Sequence, residues 1–147
     1  MIIDGLLLFS SAQNITTGTE ASTNVIDLQN ARDMGPGQLP LRVAAYVVTA
    51  FATTDSATLT IQLQGSTDNS TYSVYAQSRA YTAGELTAGA KLAPLDWPNV
   101  AVGALPRYLR LAYVSGALHW TPGSITAMLV LDREDRVAYP AGINIAV

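Results

Sequence analysis

The 147-residue sequence contains no cysteine and one histidine, His119. Without cysteine the chain cannot form disulfide bonds, zinc–thiolate sites or a cysteine nucleophile, and one histidine cannot build a histidine-rich metal site. The G-x-S-x-G pattern that marks many nucleophilic serines is also missing. We interpret His119, which lies beside Trp120 in a loop, as an exposed side chain at the rim of the fold. The sequence therefore predicts no catalytic residues, no metal site and no cofactor, and we do not expect an enzyme.

Charge is scarce as well, since charged residues make up 13% of the chain against about 25% in an average soluble domain. Lys and Arg together number 8, the net charge is −3 and no window is basic, so we expect no nucleic-acid partner. We also expect no membrane partner, because the longest apolar stretch, residues 43–52, is about half of the ~20 residues that a span needs. With so few charges, part of the surface is predicted to be buried against partner subunits.

The N-terminal sequence MIIDGLLLF does not match a secretory signal, because Asp4 stands where such a signal carries a basic residue. We therefore expect the protein to be made in the cytoplasm.

Short segments with two-residue alternation of apolar and polar side chains run through the sequence, which is typical of β-strands. Residues 58–64 alternate most cleanly, with Leu59, Ile61 and Leu63 on the side predicted to face the core. The predicted strands are residues 2–9, 23–28, 41–52, 58–64, 72–82, 91–95, 107–114 and 124–135. Residues 10–21 are polar and rich in threonine, which predicts a loop. With about eight strands and no crossover helices, the sheets should be mainly antiparallel, and the long loops favour a jelly-roll or Greek-key β-sandwich.

This all-β sandwich is predicted to be a single domain spanning residues 1–147. It should begin with an apolar N-terminal strand at residues 1–9 and end in an extended C-terminal tail at residues 136–147.

One acidic cluster, formed by Asp132, Glu134 and Asp135, could in principle hold a cation or act as an acid–base pair. Arg133 and Arg136 interleave with these acids. Salt bridges, either solvated or between subunits, therefore explain the cluster better than metal binding or catalysis.

Arginine and aromatic residues near strand ends are candidates for subunit contacts, because Trp, Tyr and Arg are enriched at interfaces. Arg107 and Arg110 are three residues apart, which puts them on opposite faces of a strand, and at least one should reach the rim or a partner because an unpaired buried Arg is costly. Much of the association is expected to involve residues 1–9, 30–40 and 139–147. The predicted interface residues are Arg107, Arg110, Arg133, Trp97, Trp120, Tyr139, Ile143 and Ile145.

Four segments together carry a family resemblance: STNVIDL at 22–28, RYLRLAYV at 107–114, LVLDRED at 129–135 and YPAGI at 139–143. In order and spacing they resemble the jelly-roll capsid cement proteins of tailed bacteriophages, of the type first described on a Bordetella phage. The regions 29–40 and 65–106 look particular to this chain, so contacts made there do not carry over.

The resemblance implies a structural virion protein on the outer surface of an icosahedral capsid. Its partners would be the major capsid protein, whose neighbouring subunits it clamps, and a second copy of itself in a homodimer, with a trimer as the other oligomer. A different class of function, a carbohydrate-binding or attachment module, stays open because Trp97 and Trp120 lie in loops next to prolines, where sugar-stacking platforms occur.

Overall fold

The computed structural model describes residues 5–16, 18–31, 41–54, 56–96, 106–115, 120–121 and 123–130. Twelve strand segments and two short 3-10 helices lie within these ranges, and neither helix is long and apolar enough to cross a membrane. The helices are Gly5–Leu7 and Ala83–Glu85. The strands are β1 (Leu8–Ile15), β2 (Thr19–Ala21), β3 (Ile26–Asp27), β4 (Arg42–Thr49), β5 (Ala52–Thr53), β6 (Thr58–Ser66), β7 (Ser73–Gln77), β8 (Tyr81–Thr82), β9 (Lys91–Asp96), β10 (Tyr108–Ser115), β11 (Trp120–Thr121) and β12 (Gly123–Val130).

Eight of these strands form two stacked sheets with a jelly-roll order. In the described residues, sheet A has the order β1-β12-β4-β9 and sheet B has the order β2-β10-β6-β7, and neighbouring strands are antiparallel. The chain passes repeatedly from one sheet to the other, as in a jelly roll. The predicted all-β class and antiparallel pairing are thus confirmed.

The strand count exceeds the predicted eight because four two-residue strands accompany the sheets in the described ranges. β3 pairs with β10, β8 pairs with β6, and β5 pairs with β11. β3 and β8 extend sheet B, whereas β5 and β11 form a separate two-stranded pair. Segments of two residues carry no alternation that a sequence pattern could reveal.

The hydrophobic core lies between the two sheets and follows the predicted alternation. Leu59, Ile61 and Leu63 of β6 are 0–2% exposed, which confirms their inward orientation. They share one cluster with Leu109 and Leu111 of β10. Each side chain of this kind contributes about 1.5–3 kcal/mol when it is removed from water. Sheet A supplies the facing layer, which includes Phe9, Ile15, Val43, Ala45, Val47, Ile125, Ala127 and Leu129.

The first strand differs from the prediction. Residues 5–7 form a 3-10 helix and β1 begins at Leu8, so within the described part of the expected strand 2–9 the prediction is wrong for residues 5–7 and confirmed for residues 8–9. The region expected to be a loop, residues 10–21, contains most of β1 and all of β2. Register shifts and the positive φ of Ala12 (46°) interrupt the alternation of β1, which hid the strand from pattern analysis. Residues 1–4 and the tail 136–147 lie outside the described residues.

A buried polar link joins the two sheets. The Tyr113 hydroxyl on β10 donates to Ser10 Oγ on β1 over 2.8 Å, and Ser10 Oγ donates to Gln13 Oε1 over 2.7 Å. Tyr113 and Ser10 are both 0% exposed, and burial raises the pKa of Tyr113 to about 12. Burial therefore keeps Tyr113 neutral, and the link to Ser10 gives its hydroxyl a hydrogen-bond partner inside the core.

Replacing Tyr113 with Phe should destabilise the fold by about 1–2 kcal/mol, because Ser10 loses its donor while it stays buried. Urea unfolding followed by circular dichroism measures this change. Tyr46→Phe, on the outer side of sheet A, is the control and should change stability by less than half as much. Equal stabilities for Tyr113→Phe and the unmodified protein would show that the link contributes nothing.

Candidate interaction surface

The side of sheet B that faces away from the core carries few charged side chains in the described residues. Because Leu109, Leu111 and Tyr113 point into the core, the alternate residues of β10 point outward. Strand pairing then arranges the outward residues in rows across the sheet. The rows are Thr19, Val114 and Thr60; then Ala21, Ala112, Gln62 and Gln77; then Arg110, Gln64 and Val74. We call this set, together with Tyr72 beside it, the sheet B face.

Arg110 is held in place on this face by neutral groups. Its Nε donates to Gln64 Oε1 over 2.9 Å, and its guanidinium carbon lies 3.7 Å from the centre of the Tyr72 ring. Gln64 is itself 9% exposed, and its Nε2 donates to Gln62 Oε1 over 3.1 Å. Stacking and a hydrogen bond to a nearly buried amide together restrict the rotamers of Arg110 before any partner arrives.

The Tyr72 side of this stack is anchored by the preceding turn. The Tyr72 hydroxyl donates to Asn69 Oδ1, and Asn69 adopts a left-handed conformation with φ of 59°. Burial raises the pKa of Tyr72, and the nearby charge of Arg110 acts in the opposite direction. The ring is therefore neutral and fixed beneath the guanidinium.

Arg107 lies at the edge of the same face but has an acidic partner. Its Nε and Nη2 donate to the two carboxylate oxygens of Asp27, each over 2.9 Å. Its guanidinium carbon lies 4.8 Å from the centre of the Tyr108 ring. The hydrogen bond from Arg107 is the main reason that the pKa of Asp27 falls below its ordinary value. The charge of Arg107 is thus compensated within the chain.

The Asp27–Arg107 pair should make a pH-dependent contribution to stability. Because the folded-state pKa of Asp27 is depressed, the contribution is complete above the ordinary value of 3.8 and is lost as the pH falls through the lower folded-state value. Asp27→Asn should therefore reduce stability slightly at pH 7, since both side chains are about 40% exposed and solvent screens the pair. The difference from the unmodified protein should shrink at pH 3 in matched urea titrations, and a difference that grows at low pH would contradict this assignment.

The two predicted interface arginines do not lie on opposite faces of β10. Arg107 precedes β10, so strand alternation does not apply to it, and its contacts with Asp27 and Tyr108 place it beside the outward side of the strand. That orientation prediction was wrong, whereas the expectation that at least one arginine reaches the rim agrees with the partial exposure of both. Whether they contact a partner stays a prediction.

Most of the other predicted interface residues lie outside the described residues. This holds for Trp97, Arg133, Tyr139, Ile143 and Ile145, and also for His119 and the acidic cluster at 132–135. Trp120 is in β11, where its backbone pairs with Thr53.

Tyr72 and Gln77 were not predicted as site residues. The outward orientation of Gln62 and Gln64 could have been inferred from the sequence, because both occupy the polar positions of the alternating segment 58–64.

The outer side of sheet A has a different character. A small apolar cluster of Ala44, Met128 and Val130 lies there, with Leu8 and Tyr46 packed against it. These three residues are only 0–8% exposed. The apolar centre of this side is therefore already shielded from water within one chain.

Two open depressions lie on the surface of the described residues. Each has a volume near 270–290 Å³, and the larger is lined by Ser66, Asp68, Thr71 and Tyr75 among others. The carboxylate of Asp68 accepts hydrogen bonds from the side chains of Ser66 and Ser70 and from the backbone of Ser70 and Thr71. These bonds hold its pKa well below the usual range. Among the described residues there is also no group of three potential metal ligands.

No curated protein matches the sequence. A family model described as Bbp16 matches residues 9–129, and the family name indicates a bacteriophage protein. The matched segment runs from β1 almost to the end of β12, so it covers strands of both sheets and includes Arg107 and Arg110. The chain therefore belongs to the Bbp16 family.

Proposed function

We propose that this protein is a capsid cement, or decoration, protein that binds the outer surface of an icosahedral phage shell and clamps neighbouring major capsid subunits. The observation that carries the proposal is the sheet B face, a surface of small and amide side chains with one immobilised arginine. Such a surface can be buried against another protein at little desolvation cost, because it has few charged groups to strip of water. Membership of a phage protein family supports the same proposal.

The size of this face suits a weak contact that is repeated many times. Strands ~4.8 Å apart and three rows of outward residues give a patch of about 400 Å². A stable pairwise complex buries about 800 Å² on each partner. One face is thus too small for tight binding alone, and we infer that other segments of the chain, or a second copy, add further contacts.

Stabilisation of the shell follows from linkage. A protein that binds assembled subunits but not free ones shifts the equilibrium toward assembly. When one molecule bridges two subunits that are already close, its second contact forms at high effective concentration. We infer that the protein acts as a homodimer, with an isologous interface at the two-fold axis, and a trimer as the other arrangement.

We further infer that the protein is not an enzyme. Its polar clusters in the described residues have structural partners: Asp68 caps a turn, Ser10 and Tyr113 join the sheets, and Asp27 pairs with Arg107. A catalytic group needs a free lone pair or proton directed at substrate.

Purified virions of the phage that encodes this chain test the proposal. Mass spectrometry should find the protein in mature particles at a fixed ratio to the major capsid protein, and antibodies raised against the folded protein should bind intact particles. Absence of the protein from mature particles would refute the proposal. Presence without antibody binding would place it inside the shell and refute the outer-surface location.

A carbohydrate-binding or attachment module is the second candidate. The observation in its favour is that an aromatic ring, an arginine and amides converge on one sheet face, and these groups also bind sugars. A glycan array distinguishes the two functions. Binding that disappears in Tyr72→Ala, Trp97→Ala or Trp120→Ala would favour the attachment module, whereas an array without signal, together with particle-bound protein, would reject it.

A further inference from the structure

We propose that the sheet B face docks a protein surface that presents an aspartate or glutamate carboxylate to the guanidinium of Arg110. This inference rests on the proposed function, because the protein that would present the carboxylate is the capsid subunit. It goes further by assigning the contact residue, the chemistry of its partner and the part of the fold that makes the contact.

Three arginines share one local design, and Arg110 differs in one respect. Arg79, Arg107 and Arg110 each lie over a tyrosine ring, at 4.4, 4.8 and 3.7 Å. Arg79 also pairs with Glu85 and Arg107 pairs with Asp27. In the described part of the chain, the contacts of Arg110 are the neutral Gln64 and Tyr72. Arg110 is thus the stacked arginine whose charge has no carboxylate beside it.

The guanidinium keeps its two terminal nitrogens for a ligand. Its Nε is used by Gln64, so the two terminal nitrogens are left as a fork that matches the two oxygens of a carboxylate. Asp68, on the turn before Tyr72, does not supply this carboxylate, because its oxygens accept bonds from Ser66, Ser70 and Thr71. Since Arg110 is half-buried and already immobilised, it would lose little side-chain entropy on binding.

Charge complementarity favours a different protein, rather than a second copy of this chain, as the partner that binds the sheet B face. In an isologous contact the sheet B face would meet itself. The rows of this face in the described residues contain Arg110 and no carboxylate, and the acid at the edge, Asp27, is engaged by Arg107. Self-association through this face would bring arginines together without an acid. A capsid surface that carries one carboxylate opposite Arg110 would compensate the positive charge of its guanidinium.

Capsids assembled without the protein provide the test, and co-sedimentation gives the apparent affinity. Arg110→Gln should weaken capsid binding by about 10- to 100-fold, because one partner of a desolvated charge pair is lost. Arg110→Lys keeps the charge but not the fork, so it should recover only part of the affinity. Arg79→Gln removes the same charge from another tyrosine-stacked site and should bind as the unmodified protein does. Binding of the unmodified protein should weaken more steeply with NaCl than binding of Arg110→Gln.

The outcomes separate this inference from the proposed function. If the unmodified protein binds capsids and Arg110→Gln binds equally well while remaining folded by circular dichroism, the inference is overturned and the cement function stands. A loss shared equally by Arg79→Gln would show a general charge effect and also overturn the inference. If the unmodified protein does not bind capsids, both fail. If binding that depends on Arg110 is seen only with acidic glycans, such as sialylated glycans on an array, the carboxylate belongs to a sugar. That result would overturn the inference that the partner is a protein.

Discussion

Leu111→Ala is expected to lower the free energy of unfolding by about 2–5 kcal/mol, the largest effect of a single core truncation that we predict. Leu111 is 0% exposed at the centre of β10, and Leu63 of β6, also 0% exposed, is its direct cross-strand partner. The backbone around Leu111 is fixed by Ser22, whose hydroxyl accepts its N–H over 3.1 Å and whose N–H donates to its carbonyl over 2.8 Å. The site therefore cannot collapse easily around the cavity.

Urea denaturation of the purified protein measures this loss. Val114→Ala is the matched control, because Val114 lies on the same strand but on the outward, half-buried side. We expect the control to lose well under half as much stability. Similar losses for the two variants would mean that β10 does not separate a core side from an outer side as described.

Gly123→Ala should destabilise the protein by about 1–3 kcal/mol, because a methyl group there overpacks the core. A Cβ at this position would lie within 3.0 Å of three ring atoms of Phe51. Phe51 is 5% exposed, and its N–H donates to the carbonyl of Leu86 over 3.0 Å, so the ring has little room to retreat. Since Gly123 also pairs with Ile15, the strain would fall on the ladder between β1 and β12.

Gly84→Ala is the control for this substitution. No atom lies within 4 Å of a Cβ at Gly84, which is in the second 3-10 helix. Thermal unfolding should shift by several degrees for Gly123→Ala and by about a degree or less for Gly84→Ala. An unchanged midpoint for Gly123→Ala would show that Phe51 can move aside at no cost.

Much of the architecture was predictable because alternation directly reports burial in a two-layer sandwich. The segments 58–64 and 107–114 were predicted as strands and correspond to β6 and β10, the central pair of sheet B. The prediction failed at the N-terminus, where β1 carries register shifts and buries Ser10 through a hydrogen bond to Tyr113. A buried serine on an irregular strand looks polar in a sequence, so pattern analysis assigned it to a loop.

The candidate surface was less accessible to sequence analysis than the fold. Arg110 could be predicted as a candidate contact residue, because an unpaired buried arginine on a strand is costly and such a side chain is expected at the rim or at a partner. The stacking of Arg110 on Tyr72 and its hydrogen bond to Gln64 could not be predicted from the sequence. Both contacts depend on which strand pairs with β10 and in which register. Register follows from the packing of both sheets and is not encoded in any local segment.

Sequence, packing and proposed function are connected through β10. Its inward residues hold the two sheets together, and its outward residues place Arg110 in the last of the three rows of a face whose other residues are uncharged. A rigid sheet rather than a loop thus presents the arginine, and the core that stabilises the fold also positions the contact.

The most direct test of the cement function is to add the purified protein to capsids that were assembled without it. We predict that the protein sediments with the shells at a saturating, fixed ratio and raises the temperature at which they break open, because binding to the assembled state favours that state. Protein that stays in the supernatant, with shells that break open at an unchanged temperature, would contradict the account.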